Sequence, residues 1–411
     1  MKTDMNDYST YTFPNGLRLI YQYTSSQVSY AGFTVNVGSR DEKMGEEGLA
    51  HFVEHLLFKG TFHRKSHHIL NYLGNVGGEL NAYTSKEETV IYSVFLSKYL
   101  SRAVDLMSDL ILHSQFPASE IKRETEVILD EINSYHDNPS ELIYDDFEDL
   151  LFEHHALGHN ILGNCHTLPT FTSTDGLQFL HENYVPSRMA FFFRGSTPFK
   201  QVITTVSRIL GNSPEKENVL QRTPPNEYIP FTRHISLNTS QAHVLVGNRA
   251  YNMFNPHRAA LFLLNNLLGG PNMNNRLNIA LREKTGYVYT VESSVTTYTD
   301  TGTFTIYFAT APSNVERCLS LLYRELERLR KTPLTTLQLS MAKRQFMGQI
   351  AIDSENNESM ALGMGKAFLH YKKYESLQET FAHIEAVTSL ELCDVANEIF
   401  DESNLSRLIY E

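Results

Sequence analysis

Short stretches of alternating apolar and polar residues recur along the first half of the chain, between longer segments in which apolar residues return at helical spacing. Alternation is typical of strands, and a period of 3.6 residues is typical of helices. Alternation predicts strands at 17–22, 28–37, 79–84, 89–96 and 189–194. The helical period predicts a helix from 46 to about 59 and further helices between 97 and about 150, one of them starting at Pro117-Ala118-Ser119.

The second half of the chain repeats this order of elements. Its pattern predicts strands at 234–237, 243–248, 287–298, 302–309 and 405–410, and helices at 257–268, between 315 and about 368, and from 389. The same element types recurring at an offset of roughly two hundred residues indicate an internal duplication. We therefore expect an α+β fold of two homologous domains, each a largely antiparallel sheet covered by helices on one face.

A stretch without periodicity separates the two halves. Between 212 and 230 the sequence reads NSPEKENVLQRTPPNEYIP, which is rich in proline and charged residues. Such composition is typical of an interdomain linker, and a chain of 411 residues exceeds what one core usually supports. We predict an N-terminal domain at 1–211, a linker at 212–231 and a C-terminal domain at 232–411.

Composition and charge narrow the functional classes. The formal net charge is −12 and no dense Lys/Arg patch offsets it, which argues against nucleic acid as a partner. No apolar run reaches the roughly 20 residues that a membrane-spanning helix needs, so no membrane partner is expected. The N-terminus has neither signal-peptide nor transit-peptide character, and the three cysteines lie far apart, as is typical of a reducing compartment. We expect a cytoplasmic protein.

The first predicted helix carries the most specific chemical pattern, HFVEH at 51–55. His51 and His55 are four residues apart and therefore share one helix face, where two imidazoles can reach one metal ion. Glu54 lies on the flank of that face and can hold a water molecule without being used as a ligand. The H-x-x-E-H order is the inverzincin signature of zinc hydrolases.

A catalytic zinc ion needs a third protein ligand from elsewhere in the chain. The predicted helix at 120–133 reads EIKRETEVILDEIN, in which Glu124 and Glu131 are seven residues apart and lie on one face. Either glutamate can approach the metal, one as a ligand and the other to orient a histidine. Periodicity by itself does not choose between them and does not exclude Glu126.

Four motifs carry a resemblance to a known family: HFVEH at 51–55, GGELNAYT at 77–84, ETEVILDEI at 124–132 and LREKTGYVY at 281–289. Across essentially the whole chain the sequence resembles the M16 (pitrilysin-like) metallopeptidases, in particular the short, single-length branch related to mitochondrial processing peptidase. The resemblance implies that Glu131 is the third zinc ligand and that Glu124 is its companion beside the site.

The same resemblance implies how substrate is bound. Members of the family bind a peptide as an added strand along an exposed sheet edge, and that edge resembles the Asn81-Ala82 segment here. An Arg and a Tyr seven residues apart in the second domain bind the substrate backbone and stabilise the transition state. Arg282 and Tyr289 match that pair in type and spacing.

The duplication also bears on metal stoichiometry and assembly. Aligning the two halves places Phe262, Asn265 and Asn266 where the first half has His51, Glu54 and His55, so we expect one Zn²⁺ per chain. Short members of the family assemble two chains into a hollow clamshell. The resemblance therefore implies a homodimer, or a heterodimer with a related chain.

These observations predict a zinc-dependent endopeptidase that hydrolyses peptides or unfolded polypeptides inside a clamshell chamber, with Glu54 as the general base. The alternative, from a different class, is a non-catalytic peptide-binding or assembly subunit of a heterodimeric complex. Such subunits typically lose part of the His-Glu-His set or the Arg/Tyr pair, whereas this chain keeps both.

Overall fold

The computed structural model describes residues 8–211, 220–237 and 239–411. Its strands are β1 Tyr8–Thr12, β2 Arg18–Tyr23, β3 Val28–Val35, β4 Glu79–Thr84, β5 Thr89–Leu96, β6 Met189–Gly195, β7 Thr232–Ile235, β8 Ala242–Ala250, β9 Val288–Thr297, β10 Gly302–Thr310 and β11 Ser406–Tyr410. Its α-helices are α1 Leu49–Leu57, α2 Ser66–Gly74, α3 Leu100–His113, α4 Ala118–His136, α5 Pro139–Leu151, α6 Ser173–Asn183, α7 Phe199–Leu210, α8 Arg258–Gly269, α9 Val315–Lys331, α10 Thr336–Asp353, α11 Asn357–Tyr371, α12 Leu377–Ala386 and α13 Ser389–Ile399.

The described residues form two compact units. The first unit takes its residues from Met1–Asn133, His159–Arg222 and Asp353–Ser376. The second takes its residues from Ser134–Gly158, Thr223–Ile352 and Leu377–Glu411. The chain passes from the first unit to the second after Arg222, inside the predicted linker at 212–231. Residues 212–219 of that linker lie outside the described part of the chain.

Each unit contains one mixed, mainly antiparallel sheet, as the predicted fold class requires. The strand order is β1-β2-β6-β3-β5-β4 in the first sheet and β7-β11-β8-β10-β9 in the second. Among the described strands, β2 runs parallel to β6 and β11 runs parallel to β7, and the other pairs are antiparallel. Strands β4 and β9 therefore form edges of their sheets within the described residues.

Helices cover both faces of the first sheet, which corrects the expectation of helices on one face only. Phe192 on β6 packs against Met364 and Phe368 of α11, while its neighbour Phe193 points to the opposite face and stacks on Tyr21. Successive residues of a strand face opposite sides, so both can be buried only if both faces are covered. This explains why the Ala190–Phe193 run is apolar without alternation.

The second sheet is covered in the same way. Val246 and Phe304 pack in a core with α8, α9 and α13, whereas Leu245 and Tyr307 pack against Phe147 of α5. Helix α5 comes from the first half of the sequence, and α11, on the first sheet, comes from the second half. The predicted division into contiguous stretches did not include this exchange, because amphipathic periodicity does not say which sheet a helix covers.

Among the described residues, no helix is both long and apolar enough to cross a membrane.

Candidate metal centre

Helix α1, which carries the HFVEH segment, begins at a left-handed glycine. Gly48 has φ +97°, a conformation that costs a residue with a side chain but not glycine. A Cβ at this position would lie 2.7 Å from the backbone of Gly163, so the close approach of two chain segments also requires glycine. The start of the helix is thereby fixed against the 159–164 loop of the same unit.

The buried carboxylate of Glu42 caps this helix. Its oxygens accept hydrogen bonds from the backbone N–H groups of Gly48 (3.0 Å) and Ala50 (2.7 Å), which have no partner inside the helix. Nε2 of His159 lies 2.8 Å from the same carboxylate and donates a third hydrogen bond. The negative charge also lies at the positive end of the helix dipole, so Glu42 holds the first turn, and with it His51, in place.

The structure brings His51, His55 and Glu131 together. Oε2 of Glu131, on α4, lies 3.9 Å from Nε2 of His51 and 3.8 Å from Nε2 of His55. One donor atom from each of the three residues lies within 4.8 Å of the other two. The two imidazole rings are 4.6 Å apart between centroids. The three side chains that the sequence and the resemblance assigned to the metal therefore converge on one point.

This donor set fits a zinc ion. Tetrahedral zinc with bonds of about 2.0–2.2 Å places its donors roughly 3.3 Å apart, so each histidine Nε2 would need to move about half an ångström closer to Oε2 of Glu131. Burial, reinforced by the charge of His55, lowers the pKa of His51 to about 3, so its ring is neutral and its Nε2 lone pair is available. Nδ1 of His51 is buried and has no hydrogen-bond partner within the described residues.

Glu124 orients His55 from the side away from the donor cluster. Its Oε2 lies 3.1 Å from Nδ1 of His55, and its Oε1 lies 2.6 Å from Nζ of Lys59. A carboxylate accepts but does not donate, so Nδ1 of His55 carries the proton and Nε2 is left to bind metal. The structure thus gives Glu124 and Glu131 different positions, while Glu126 is exposed.

Glu54 lies beside the three converging side chains and is buried. Its Oε2 accepts a hydrogen bond from Oγ1 of Thr84, the last residue of β4, at 2.8 Å. Burial raises the pKa of Glu54, and the hydrogen bond from Thr84 and the charge of His55 offset this only in part. A carboxylate with a raised pKa is a stronger base than an exposed one.

The Asn81-Ala82 segment lies in the middle of β4, the edge strand that ends at Thr84. Asn81 pairs with Tyr92 and Ala82 with Ile91, both on β5, while the other side of β4 has no strand beside it among the described residues. The edge strand therefore contacts the carboxylate of Glu54 directly through Thr84.

Arg282 and Tyr289 lie next to each other in the second unit. Arg282 is in a turn of π-helix at Asn278–Glu283, and Tyr289 follows the first residue of β9. The guanidinium carbon of Arg282 is 5.4 Å from the centre of the Tyr289 ring, within the range of a cation–π contact. Tyr289 is 78% exposed, so its hydroxyl is accessible to a ligand.

In the second half, α8 carries Phe262, Asn265 and Asn266. Both groups of three potential metal ligands in the described part of the chain lie in the first unit.

Sequence reasoning missed three side chains that hold this site: Glu42, Lys59 and Thr84. Thr84 shares a strand face with Ala82, two residues earlier, and this spacing could have identified it. No periodic signal marks Glu42, because it acts from a loop, or Lys59, because its partner is distant in sequence.

Two family models and several named relatives match this chain. The family model described as insulinase, peptidase family M16, matches residues 18–164, and that described as peptidase M16 inactive domain matches residues 170–346. A Bacillus subtilis protein named uncharacterized zinc protease YmxG is 30% identical over 97% of this chain and 97% of its own length. A Rickettsia felis protein named uncharacterized zinc protease is 32% identical over 91% of this chain and 90% of its own length.

Solved structures confirm the fold. The crystal structure of a peptidase M16 inactive domain from Pseudomonas fluorescens has a TM-score of 0.91 at 19% identity and covers 98% of this chain and 97% of its own. The crystal structure of a protease from Helicobacter pylori has a TM-score of 0.90 at 20% identity, covering 98% of this chain and 99% of its own. The chain belongs to peptidase family M16, and relatives that match it over nearly their full length are named zinc proteases.

Proposed function

We propose that this chain is a zinc-dependent endopeptidase that hydrolyses peptides or unfolded polypeptides. The observation that carries the proposal is the convergence of His51 Nε2, His55 Nε2 and Glu131 Oε2 beside the buried carboxylate of Glu54. Two histidines and one carboxylate, with a position left for water, are typical of catalytic zinc. We assign one catalytic zinc to each chain.

Zinc, Glu54 and Thr84 would each have a distinct role in hydrolysis. When bound, zinc would polarise the scissile carbonyl and bring the pKa of a water molecule towards neutrality. Glu54 would accept the proton from the attacking water and deliver it to the leaving amine. Thr84 holds the Glu54 carboxylate at 2.8 Å, so little rearrangement is needed before proton transfer.

The edge of the first sheet supports the proposal for substrate binding. A peptide added along β4 beside Asn81 and Ala82 would form main-chain hydrogen bonds with the edge strand, a mode that reads backbone more than side chains. Because β4 ends at Thr84, a strand placed there would run towards Glu54.

Arg282 and Tyr289 would bind the substrate backbone and stabilise the charge that develops on the carbonyl oxygen. Their mutual contact and the exposure of Tyr289 support a shared role. We further propose a dimer, either a homodimer or a heterodimer with a related chain, that encloses a chamber in the cytoplasm. In that assembly the pair would serve either its own chain's zinc or the partner's.

The test compares the wild-type chain with Glu54→Gln in zinc content and in cleavage of a quenched peptide library. Glu54→Gln should keep its zinc, because Glu54 is not a ligand, and should lose peptide cleavage by at least about 100-fold. Glu153→Gln, an exposed glutamate with 71% of its side chain accessible, is the matched control and should behave like the wild type. A chelator should abolish activity, and added Zn²⁺ should restore it.

Equal cleavage by the wild type and Glu54→Gln would overturn the assignment of the base. A zinc-loaded wild type that binds peptides and cleaves none, alone or with a related chain, would establish the non-catalytic subunit instead. Light scattering of the purified chain would decide whether it dimerises by itself.

A further inference from the structure

A second cluster of potential metal ligands lies in the first unit, outside the site described above. Its centre is the buried carboxylate of Asp109 on α3. Nδ1 of His63 lies 2.7 Å and Nδ1 of His113 lies 3.0 Å from the same oxygen, Oδ1. The two rings meet edge to face with centroids 4.6 Å apart. The donor set, two imidazole nitrogens and one carboxylate oxygen, has the same composition as His51, His55 and Glu131.

The other oxygen of Asp109 is already occupied. Oδ2 accepts hydrogen bonds from Oγ1 of Thr61 at 2.6 Å and from a guanidinium nitrogen of Arg64. These contacts hold the carboxylate in one orientation and direct Oδ1 at the two histidines. A ligand whose remaining atoms are hydrogen-bonded in this way is typical of protein metal sites.

The carboxylate and guanidinium charges around the cluster balance one another. Arg64 also pairs with Asp105, so one guanidinium faces two carboxylates. The hydroxyl of Tyr72 donates to Asp105 at 3.0 Å, which satisfies that carboxylate further. The carboxylates of Asp105 and Asp109 carry two negative charges, and the guanidinium groups of Arg64 and Arg102, both stacked on the ring of Tyr72, carry two positive charges. The surroundings are therefore close to neutral, and the attraction for a divalent cation would come from Oδ1 of Asp109, the oxygen that faces the two histidines.

The site is accessible and has space. The side chains of His63 and His113 are 53% and 43% exposed, while that of Asp109 is 4% exposed. A cavity of about 270 Å³ opens beside them. Zinc-class donors lie roughly 3.3 Å apart, so an outward shift of each ring by up to about half an ångström would admit an ion. Half-exposed rings can make that movement without disturbing a core.

We propose that His63, His113 and Asp109 form a second, structural site for a divalent transition metal of the zinc class. The ion would be held by Nδ1 of each histidine and by Oδ1 of Asp109, and the proton of each neutral ring would then lie on the exposed Nε2, exchanged through solvent with no net release. Imidazole with carboxylate favours zinc, copper or nickel over calcium or magnesium. We assign this site a structural role.

A metal ion at this site would link the 58–65 loop to the end of helix α3, and this link indicates its role. His63 lies in the 58–65 loop directly after α1, whereas Asp109 and His113 lie near the end of α3. The backbone N–H of Phe62 donates to the carbonyl of His113 at 2.8 Å, so the loop already pairs with that helix end. The same loop carries Lys59, whose Nζ lies 2.6 Å from the Glu124 carboxylate that orients His55. An ion here would stiffen the loop that supports the catalytic ligand.

The experiment counts zinc ions bound to the full-length protein, using Zn²⁺ alone as the probe, with equilibrium dialysis followed by elemental analysis. The wild type should bind two equivalents, and His63→Ala and His113→Ala should each bind one. His166→Ala, an exposed histidine in the same unit, should bind two and is the matched control. Circular dichroism would verify that each variant is folded, and both substituted histidines are exposed enough for this to hold.

A second measurement tests the structural role. Zn²⁺ added beyond the first equivalent should raise the melting temperature of the wild type and of His166→Ala, and should leave that of His113→Ala unchanged. A wild type that binds a single equivalent, or histidine variants that bind as many ions as the wild type, would overturn the proposal. The count does not depend on peptidase activity, so its outcome is separate from that of the Glu54→Gln test.

Discussion

Nδ1 of His55 donates a hydrogen bond to Oε2 of Glu124 at 3.1 Å, and this contact decides which nitrogen of the ring faces Glu131. The carboxylate of Glu124 is itself buried and is held by Lys59 at 2.6 Å. Two glutamates of α4 therefore act on one histidine from opposite sides. One offers a ligand atom beside Nε2, and the other fixes the tautomer through Nδ1.

Replacing Glu124 by Gln should weaken zinc binding by about 10–100-fold while leaving the three donor atoms in place. An amide can present its NH₂ group to Nδ1 and thereby favour the wrong tautomer. Zinc affinity would be measured by competition with a chromophoric chelator. Glu126→Gln, on the exposed side of the same helix, is the control and should retain wild-type affinity. If Glu124→Gln binds zinc with unchanged affinity, Glu124 has no role in orienting His55 for the metal.

Replacing Glu42 by Ala should destabilise the first unit and loosen the first turn of helix α1. The change leaves the N–H groups of Gly48 and Ala50 without their acceptor, and buried groups of this kind cost about 1–3 kcal/mol. The melting temperature of the zinc-free protein should fall by several degrees. Glu42→Gln keeps one acceptor oxygen and should lie between the wild type and Glu42→Ala. Three indistinguishable melting curves would show that the cap contributes nothing.

Glu88 should make the stability of the first unit depend on pH. Burial by itself raises the pKa of this carboxyl, but the hydrogen bond from His370 and the charge of Lys366 outweigh it and lower the pKa from 4.5 to about 2. A depressed pKa adds stability above the unfolded value, and that stability is lost as the pH falls from about 4.5 towards 2. The full contribution is roughly 3 kcal/mol.

The comparison for this prediction is Glu88→Gln against the wild type, with thermal unfolding followed at several pH values. The difference in stability should be largest above pH 5 and should shrink on acidification, because the wild-type carboxylate then becomes protonated. Glu79→Gln, an exposed carboxylate on the same sheet, is the control and should show a small difference at every pH. A wild-type advantage that grows as the pH falls would contradict the sign of this argument.

Strand addition along β4 predicts that cleavage depends on the substrate backbone. A peptide substrate with alternate backbone amides N-methylated, on the side that faces the edge strand, should lose most of its binding because it can no longer donate to the strand. Methylating the other set of amides should have a much smaller effect. The KM values of the two peptides would be compared with that of the unmodified peptide. Equal KM values would place the substrate elsewhere.

The sequence by itself determined the features that depend on short-range patterns. The H-x-x-E-H segment places His51 and His55 on one face because an α-helix has 3.6 residues per turn. Alternation at 79–84 and 89–96 predicted β4 and β5 with their observed bounds. The strand β1 and the helices α2, α6, α7 and α12 were not predicted. Strand β1 has only five residues, whereas α7 is strongly amphipathic, so its apolar period could have identified it.

Only the tertiary structure decided what depends on contacts between distant segments. Periodicity placed Glu124 and Glu131 on one face of α4, and the packing of that helix beside α1 separates them into an orienting residue and a potential ligand. The sequence pattern likewise could not predict that α5 packs in the second unit and α11 in the first, since an apolar helix face fits any complementary sheet. A local pattern determines which side of a segment is buried, and the rest of the chain determines what that side is buried against.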